Sequence, residues 1–237
     1  MKLRVRSSKL GKVRFTSHRD AARMWERALR RAGLPVAATE GFTPRPKMSF
    51  GLALPTGAES IAEYVDIELQ RDVVADDVDL NTLPARLGSA LPIGFDVLVV
   101  AEREQRIESL QESVTSCTWE LWSPRLTAED HADARRLLEA PELVLERERK
   151  GKRSADDVRP MILDIRPDPA GDRAVVDLAT VGRALRPGEF AELAYPRVDA
   201  RDVRALRTHQ WLDRDGERRE VLPLPADVDA RALAVLA

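Results

Sequence analysis

Alternation of polar and apolar residues opens the chain. Residues 3–7 and 12–16 alternate on either side of Lys9-Leu10-Gly11, which predicts a hairpin or one bent strand. Ser17-x-x-Asp20 then predicts a helix start, because a serine hydroxyl can accept hydrogen bonds from the free N–H groups of a first turn. Helical spacing predicts a helix over 17–32. Its buried face would consist of Ala21, Met24, Trp25, Ala28, Leu29 and Ala32.

A loop rich in glycine and proline follows this helix, over residues 40–47. Beyond it, the patterns predict strands over 48–55, 64–69 and 95–101 and a helix over 79–91. The order β, α, β, β, α, β is that of the ferredoxin-like fold, in which an antiparallel sheet carries two helices on one face. We therefore expect a basic ferredoxin-like domain over residues 1–102.

The second half repeats this order after a polar linker predicted over 103–114. The predicted strands and helices are 115–122 (strand), 127–140 (helix), 143–149, 161–165 and 173–179 (strands), 187–194 (helix) and 203–212 (strand). We expect a second ferredoxin-like domain over 115–221 and a peripheral tail over 222–237. The fold class predicted for the whole chain is α+β, with two tandem βαββαβ domains and antiparallel sheets.

Charge divides the chain unevenly. Residues 1–50 hold thirteen lysines and arginines against three acids, a net charge of +10, so a total of −2 leaves −12 for the remaining 187 residues. Such asymmetry indicates either a polyanion partner for the basic part or basic and acidic faces that meet.

Composition excludes several kinds of chemistry. The single cysteine, Cys117, cannot form an internal disulfide, a cysteine-rich zinc site or a protein-held iron–sulfur cluster. The sequence contains neither a GxGxxG dinucleotide fingerprint nor a P-loop. We therefore expect no cofactor bound by this chain, and any redox or radical chemistry would come from another protein. The sequence shows no bilayer-spanning apolar run or signal peptide, which predicts a cytoplasmic protein with no membrane role.

The exposed face of the predicted helix is the first candidate binding site. Arg19, Arg23, Arg27 and Arg30 recur near positions i, i+4, i+8 and i+11, so they share one face. Guanidinium groups make bidentate contacts to phosphate, which would make this face a phosphate-binding ridge. The alternative is a solvated face, with acidic residues of the same chain as partners.

The proline-stiffened loop is the second candidate. Phe42, Arg45 and Lys47, followed by Ser49, combine an aromatic ring with two cations, as in proteins that hold single-stranded RNA. In the alternative reading, Phe42 only packs against the protein.

Ser17 and His18 begin the predicted helix, where the helix dipole favours a neutral imidazole. His18 is a weak catalytic candidate, as general base on a ribose 2′-hydroxyl. The alternative is a capping or ligand-binding residue. No metal site is expected, and the charged segment around Arg147–Arg153 and Asp156–Arg159 is either a basic surface or a solvated hairpin.

Several motifs resemble a known family. They are Phe15-Thr16-Ser17-His18, Gly41-Phe42-Thr43-Pro44-Arg45-Pro46-Lys47-Met48-Ser49-Phe50, Leu54-Pro55-x-Gly57, Glu63-Tyr64-Val65-Asp66, Asp157-Val158-Arg159-Pro160 and Arg186-Pro187-Gly188-Glu189. They are similar to those of the bacterial radical-SAM-linked family, a domain family of unknown function. Between the two prolines that family often has histidine, where this chain has Arg45.

The resemblance implies a radical SAM protein of the cobalamin-binding type as partner. Combined with the basic helix face and loop, it predicts a non-catalytic accessory protein that binds RNA of the tRNA or rRNA type, or another anionic substrate. Two alternatives remain open. One is a metal-independent endoribonuclease with His18 as general base, and the other is a protein-interaction subunit with no nucleic-acid role.

Overall fold

The computed structural model divides the chain into two units, Met1–Ser113 with Glu220–Ala237 and Val114–Arg219. The structure describes residues 1–73, 78–103, 109–149, 151–182, 184–225 and 228. Most of the predicted tail, and residues 104–108 of the predicted linker, lie outside the described residues. The rest of that linker includes a short helix, α3 (Leu110–Ser113).

The first unit is an antiparallel sheet with helices. Its elements are β1 (Lys2–Lys9), α1 (His18–Arg31), β2 (Met48–Phe50), β3 (Glu59–Glu68), α2 (Leu83–Gly88), β4 (Val97–Glu102) and α3. The strands lie in the order β4-β1-β3-β2, and every neighbouring pair is antiparallel. The sequence of elements up to β4 is thus β, α, β, β, α, β, as the patterns predicted.

Strand register places the core of this unit on one face of the sheet. Val5 pairs with Val65, and Leu3 pairs with Ile67. Side chains opposite one another in an antiparallel pair share a face, so these four form one apolar surface. They belong to the same buried cluster as Trp25 and other apolar residues of α1 and α2. Burying the apolar face of α1 in this cluster stabilises the helix far more than its intrinsic propensity does.

Three strand predictions in this unit were wrong, one in kind and two in extent. Residues 12–16 do not form a strand, because Gly11 adopts a φ of 64° and the chain enters a 3₁₀ turn over Gly11–Phe15. The turn packs closely against the loop before β4, where a Cβ on Gly94 would lie 2.6 Å from the Leu10 carbonyl oxygen. The strand predicted over 48–55 ends at Phe50, and β3 begins at Glu59, before the predicted 64.

The second unit is also an antiparallel sheet with helices. Its elements are β5 (Val114–Trp122), α4 (Ala128–Asp133), β6 (Val144–Arg149), β7 (Lys152–Asp157), β8 (Ile162–Pro167), β9 (Ala174–Ala179), α5 (Pro187–Ala194), β10 (Arg204–Arg214) and β11 (Glu217–Glu220), whose last residue, Glu220, is assigned to the first unit. The main strands lie in the order β10-β5-β9-β8, again antiparallel throughout, and β11 pairs with β10.

A hairpin interrupts this second unit. The predicted strand over 143–149 is observed as β6, but it pairs with β7 in a separate two-stranded sheet. This pairing confirms the hairpin alternative for the charged segment around Arg147–Arg153 and Asp156–Arg159. β7 itself was not predicted as a strand, because Lys152–Asp157 has little of the apolar alternation that marks a half-buried strand. The helix predicted over 127–140 is α4 followed by a 3₁₀ turn over Ala134–Leu138.

Candidate functional site

Helix α1 positions a row of exposed arginines. Ser17 is its N-cap, since its Oγ accepts a hydrogen bond from the Asp20 backbone N–H at 3.2 Å and donates to the Asp20 carboxylate at 2.8 Å. The helix buries Trp25 and its neighbours on one side. The opposite side is exposed and carries the four residues that we call the arginine row, Arg19, Arg23, Arg27 and Arg30.

Little acidic charge offsets the arginine row. Arg23 lies 3.6 Å from Asp20 in an exposed pair, of a kind that contributes a few tenths of a kcal/mol. Arg27 donates through Nε to the Arg23 carbonyl at 3.3 Å. Within the described part of the chain, Arg19 and Arg30 form no ion pair. The row therefore presents positive charge to solvent, and Glu59–Glu68 does not cover it.

The loop over residues 39–45, which we call the Phe42 loop, projects from a hydrogen-bonded base. Its base is closed by the Lys47 N–H donating to the Ala37 carbonyl at 2.7 Å and by the Thr39 N–H donating to the Arg45 carbonyl at 2.8 Å. The Arg45 N–H also donates to Thr39 Oγ1 at 3.0 Å. These hydrogen bonds join the two arms of the loop, residues 37–39 and 45–47, at its base.

Phe42 stands at the tip of this loop. Its relative exposure is 111%, so the ring packs against nothing within the described residues. Gly41 before it has a φ of 123°, a conformation that glycine adopts without strain. Arg45 is exposed on the same loop. An exposed ring of this kind contributes nothing to the core, and it is available to stack on a base or another planar group.

Lys47 and Ser49 lie on the face of the first unit's sheet that is opposite the core. Phe50 pairs with Val65 on the core face, so the preceding Ser49, paired with Asp66, points to the opposite face. Both Lys47 and Ser49 line a cavity of about 250 Å³, which we call the sheet-face pocket. Its other lining residues are Lys2, Thr39, Pro46, Met48, Asp66, Ile67, Glu68 and Arg103.

His18 lies in neither the Phe42 loop nor the sheet-face pocket, but lines a small cleft at the beginning of α1. Its ring contacts Phe50 edge to face, with 5.1 Å between ring centroids. The cleft, of about 30 Å³, is also lined by Ser7, Lys9 and Glu63. The Lys9 ammonium is buried and donates to the Thr16 carbonyl at 2.9 Å. The hydroxyl of Ser7 is buried and has no hydrogen-bond partner among the described residues.

The predicted site residues therefore do not form one site. Ser17 and His18 lie at the start of α1, the arginine row lies along its outer side, Phe42 and Arg45 lie on the loop, and Lys47 and Ser49 lie in the sheet-face pocket. Sequence reasoning missed Lys9 and Glu63. Ser7 and Lys9 continue the alternation of Leu3 and Val5, so polar residues where the pattern calls for apolar ones were the available signal.

Several other basic residues of the first unit are paired internally. Arg4 makes a bidentate ion pair with Asp66 at 2.7 and 2.9 Å, and Arg6 pairs with Glu220 at 2.5 Å. Arg14 lies 3.6 Å from Glu59. The internal neutralisation that the charge asymmetry suggested is thus present for the strand arginines, but not for the arginine row.

Charged motifs of the second unit hold the fold. Arg159 donates to the carbonyls of Leu138 and Ile162, and Asp157 accepts from the backbone N–H groups of Leu143 and Arg159. These two backbone hydrogen bonds lower the pKa of Asp157. Arg147 makes a bidentate pair with Glu189 at 2.8 and 2.7 Å. Both motifs connect separate elements of this unit.

Within the described ranges, no group of three or more histidine, cysteine or acidic residues could hold a metal ion. Cys117 is buried in β5. The described helices include none that is long and apolar enough to cross a membrane.

Fold and side chains together define a mixed α+β protein with antiparallel sheets and an exposed basic helix. A family model described as "Uncharacterized protein conserved in bacteria (DUF2344)" matches residues 2–187. The chain belongs to this family of bacterial proteins of unknown function.

Beyond this family, the similarity of the chain to known proteins is weak. No curated protein matches the sequence. Among solved structures, the chain is similar to the first two RRM domains of the yeast poly(U)-binding protein Pub1, at 11% identity. That match covers 87% of this chain and 98% of the other, with a TM-score of 0.21. A TM-score this low supports no conclusion about fold or ligand.

Proposed function

We propose that this protein is a non-catalytic accessory subunit that binds RNA, or another polyanionic substrate, through the arginine row and the Phe42 loop. The observation that carries the proposal is the full exposure of Phe42 at the tip of a hydrogen-bonded loop. The helix of the same unit also exposes the arginine row, whose described ion pairs amount to the weak one between Arg23 and Asp20. Aromatic stacking with cationic contacts to phosphate is how proteins hold single-stranded nucleic acid.

Each unit is assigned to the ferredoxin-like class within this proposal. In the first unit the strand order is β4-β1-β3-β2. In the second it is β10-β5-β9-β8, which is the same order when the β6–β7 hairpin is treated as an insertion. Both orders agree with a split βαβ arrangement.

A radical SAM enzyme of the cobalamin-binding type is the proposed partner. The resemblance of the Ser17-His18 and Gly41–Phe50 motifs to the radical-SAM-linked family supports this choice. Co-purification from the native cell, with mass spectrometry and nucleic-acid sequencing of the bound material, tests it. Recovery of RNA without such an enzyme would remove the partner but leave the RNA-binding proposal standing.

Charge reversal tests RNA binding. We expect short fluorescent single-stranded RNAs to bind the wild-type protein at low salt, as measured by anisotropy. The double variant Arg23→Glu with Arg45→Glu should bind at least tenfold more weakly, because each reversal replaces an attraction to phosphate by a repulsion. Absence of binding at low salt, or equal binding by the double variant, contradicts the proposal.

The second candidate is a metal-independent endoribonuclease. Its basis is that His18 lies near Lys9 and Glu63, since a base and a cation could act on a 2′-hydroxyl and a developing phosphorane. The cleft of about 30 Å³ has room for about one water molecule, so this activity requires the cleft to open when RNA binds. Incubation of RNA with EDTA should then yield 2′,3′-cyclic phosphate ends that disappear in His18→Ala. Intact RNA across a broad panel excludes this activity.

A further inference from the structure

The sheet-face pocket contains more positive than negative charge. Asp66 is shared by two guanidinium groups, since Arg4 binds it in a bidentate pair and Arg103 Nε lies 3.2 Å from Oδ2. Glu68 is likewise shared by two ammonium groups. Lys2 and Lys47 each lie 3.5 Å from it, one at Oε2 and the other at Oε1. Four cations thus share two carboxylates. Arg4 lies behind the pocket and does not line it, so the lining itself has three cations, Lys2, Lys47 and Arg103, against two carboxylates, an excess of one positive charge.

The two halves of this group differ in accessibility. The side chains of Arg4, Asp66 and Arg103 are 6%, 8% and 12% exposed, so they form a buried base. Lys2 and Lys47 are 39% and 41% exposed. Their 3.5 Å separations from Glu68 are longer than a normal hydrogen bond, which leaves ammonium protons available. The floor of the pocket is therefore a buried, positively charged group of side chains, and two partly exposed lysines lie at its mouth.

The pKa of Glu68 is lowered, as expected for a carboxylate that lies between two cations. Burial acts to raise its pKa, but attraction from Lys47 and Lys2 outweighs burial and lowers it. The group is then ionised at neutral pH, and the pocket still carries its positive excess.

Size and lining limit the ligand. The cavity of about 250 Å³ lies just below the usual range of drug-sized sites, so it accommodates a small group such as a phosphate with its sugar. The hydroxyls of Thr39 and Ser49 add short polar contacts. Thr39 and Pro46–Lys47 belong to the two arms that close the base of the Phe42 loop, so the pocket adjoins the base of that loop.

We propose that the sheet-face pocket binds one phosphate group of a nucleotide, held by the ammonium groups of Lys2 and Lys47 above the Arg4–Asp66–Arg103 base. This inference rests on the proposed function, because it names the subsite in which one nucleotide of the bound RNA is held. The excess positive charge stabilises the phosphate, and Glu68 competes with it for the same two lysines.

Amide chemical-shift mapping of the full chain tests this inference, with uridine 5′-monophosphate, uridine and inorganic phosphate as probes. The monophosphate should shift the amides of Lys2, Lys47 and Ser49 in a saturable way, and uridine should not. Inorganic phosphate should shift the same amides more weakly. Equal shifts with uridine and its monophosphate, or no shift at these residues, overturn the inference.

Two variants with opposite expected effects make the test independent of folding. Lys47→Ala should weaken monophosphate binding roughly tenfold, since it removes one charge-assisted contact. Glu68→Gln should tighten it several-fold, because the competing carboxylate is gone while the shape of the side chain is kept. A misfolded variant cannot bind more tightly. Lys12→Ala, at an exposed lysine outside the pocket, is the matched control and should change nothing.

Failure of this inference is distinguishable from failure of RNA binding. If Glu68→Gln leaves monophosphate affinity unchanged while arginine-row variants still weaken binding of long RNA, the pocket assignment is wrong and RNA binding stands. If neither RNA nor monophosphate binds at low salt, both proposals fall together.

Discussion

The arginines of β1 and those of α1 lie within thirty residues of one another and have opposite surroundings. Arg4 and Arg6 are 5% and 0% exposed, and each is paired with an acidic side chain of the same unit. The arginine row is exposed, and its only described ion pair is the weak one between Arg23 and Asp20. The net charge of a segment therefore does not measure its attraction for a polyanion. What counts is the charge that remains unpaired at the surface.

Strand register and helix periodicity produce this difference. In β1, Arg4 lies directly opposite Asp66, so the sheet itself brings the two charges together. In α1, spacing of three and four residues places arginine next to arginine, and like charges at that spacing are mildly destabilising. The strand pair stabilises the fold, and the helix row is a surface that the fold does not need. The predictions below test this contrast.

The largest effect is expected at the buried pair. Asp66→Ala leaves Arg4 and Arg103 without their carboxylate in a buried environment, which should lower the free energy of unfolding by about 3 kcal/mol. Arg23→Ala should change it by less than about 0.5 kcal/mol. Urea denaturation of both variants measures the difference. Equal midpoints would show that the buried pair contributes no more than the exposed one.

The next effect concerns RNA affinity. Replacing the whole arginine row by alanine should weaken binding of single-stranded RNA roughly 100-fold near 0.1 M salt, because four phosphate contacts are lost. The matched control removes four exposed arginines of the second unit that are paired with acids, namely Arg125, Arg197, Arg201 and Arg219. Its change in net charge is the same. Comparable losses in both variants would mean that total charge, and not the unpaired row, determines affinity.

A smaller loss of affinity is expected at the loop tip. Phe42→Ala should cost about 1–3 kcal/mol of binding free energy, the usual value for one stacked base. The melting temperature should stay the same, since the ring is fully exposed. Phe42→Trp should retain binding. A drop in stability with unchanged RNA affinity would indicate that the ring packs against the protein.

The smallest effect is a pH dependence in the second unit. Burial lowers the pKa of His131 from its ordinary value of 6.5, and its Nδ1 lies 3.0 Å from the Tyr195 hydroxyl. Between the lowered folded pKa and 6.5 the unfolded chain binds more protons, so stability should fall as pH falls below about 6.5. His131→Asn, which keeps a polar atom near Nδ1, should flatten this part of the stability curve. An unchanged slope in this variant would assign the pH dependence to another group.

Much of the fold was accessible from the sequence because its elements are amphipathic. Helix α1 is observed within one residue of its predicted bounds, since Ser17 caps it and the apolar spacing is regular. The β6–β7 hairpin was predicted only as one of two alternatives, a solvated hairpin or a basic surface, because Lys152–Asp157 pairs through its backbone and has no apolar face that would mark it as a strand. The strand predicted over 12–16 failed for a different reason, since the positive φ of Gly11 turns the chain where alternation alone would extend it.

The candidate site was only partly accessible. The arginine row and the Phe42 loop are each a local segment of the chain, so helical spacing identified the first and the Gly-Phe-x-Pro pattern identified the second. The sheet-face pocket unites Lys2, Lys47, Glu68 and Arg103, and only pairing between distant strands brings these residues together. The pattern of polar and apolar residues along one segment does not show which strands pair with one another. The sequence analysis placed Lys47 and Ser49 in the same binding loop as Phe42. In the structure Ser49 points to the sheet face opposite Phe50, and both Lys47 and Ser49 line the sheet-face pocket.

Salt dependence of RNA binding tests the central claim most directly. If the four arginines of the row and Arg45 of the Phe42 loop contact phosphates, the logarithm of the binding constant should fall against the logarithm of salt concentration with a slope of about −3.5, corresponding to roughly five contacts on a single strand. Alanine at the four positions of the arginine row should reduce the slope to about −0.7. A slope near zero for the wild-type protein, or the same slope for both proteins, would contradict the claim.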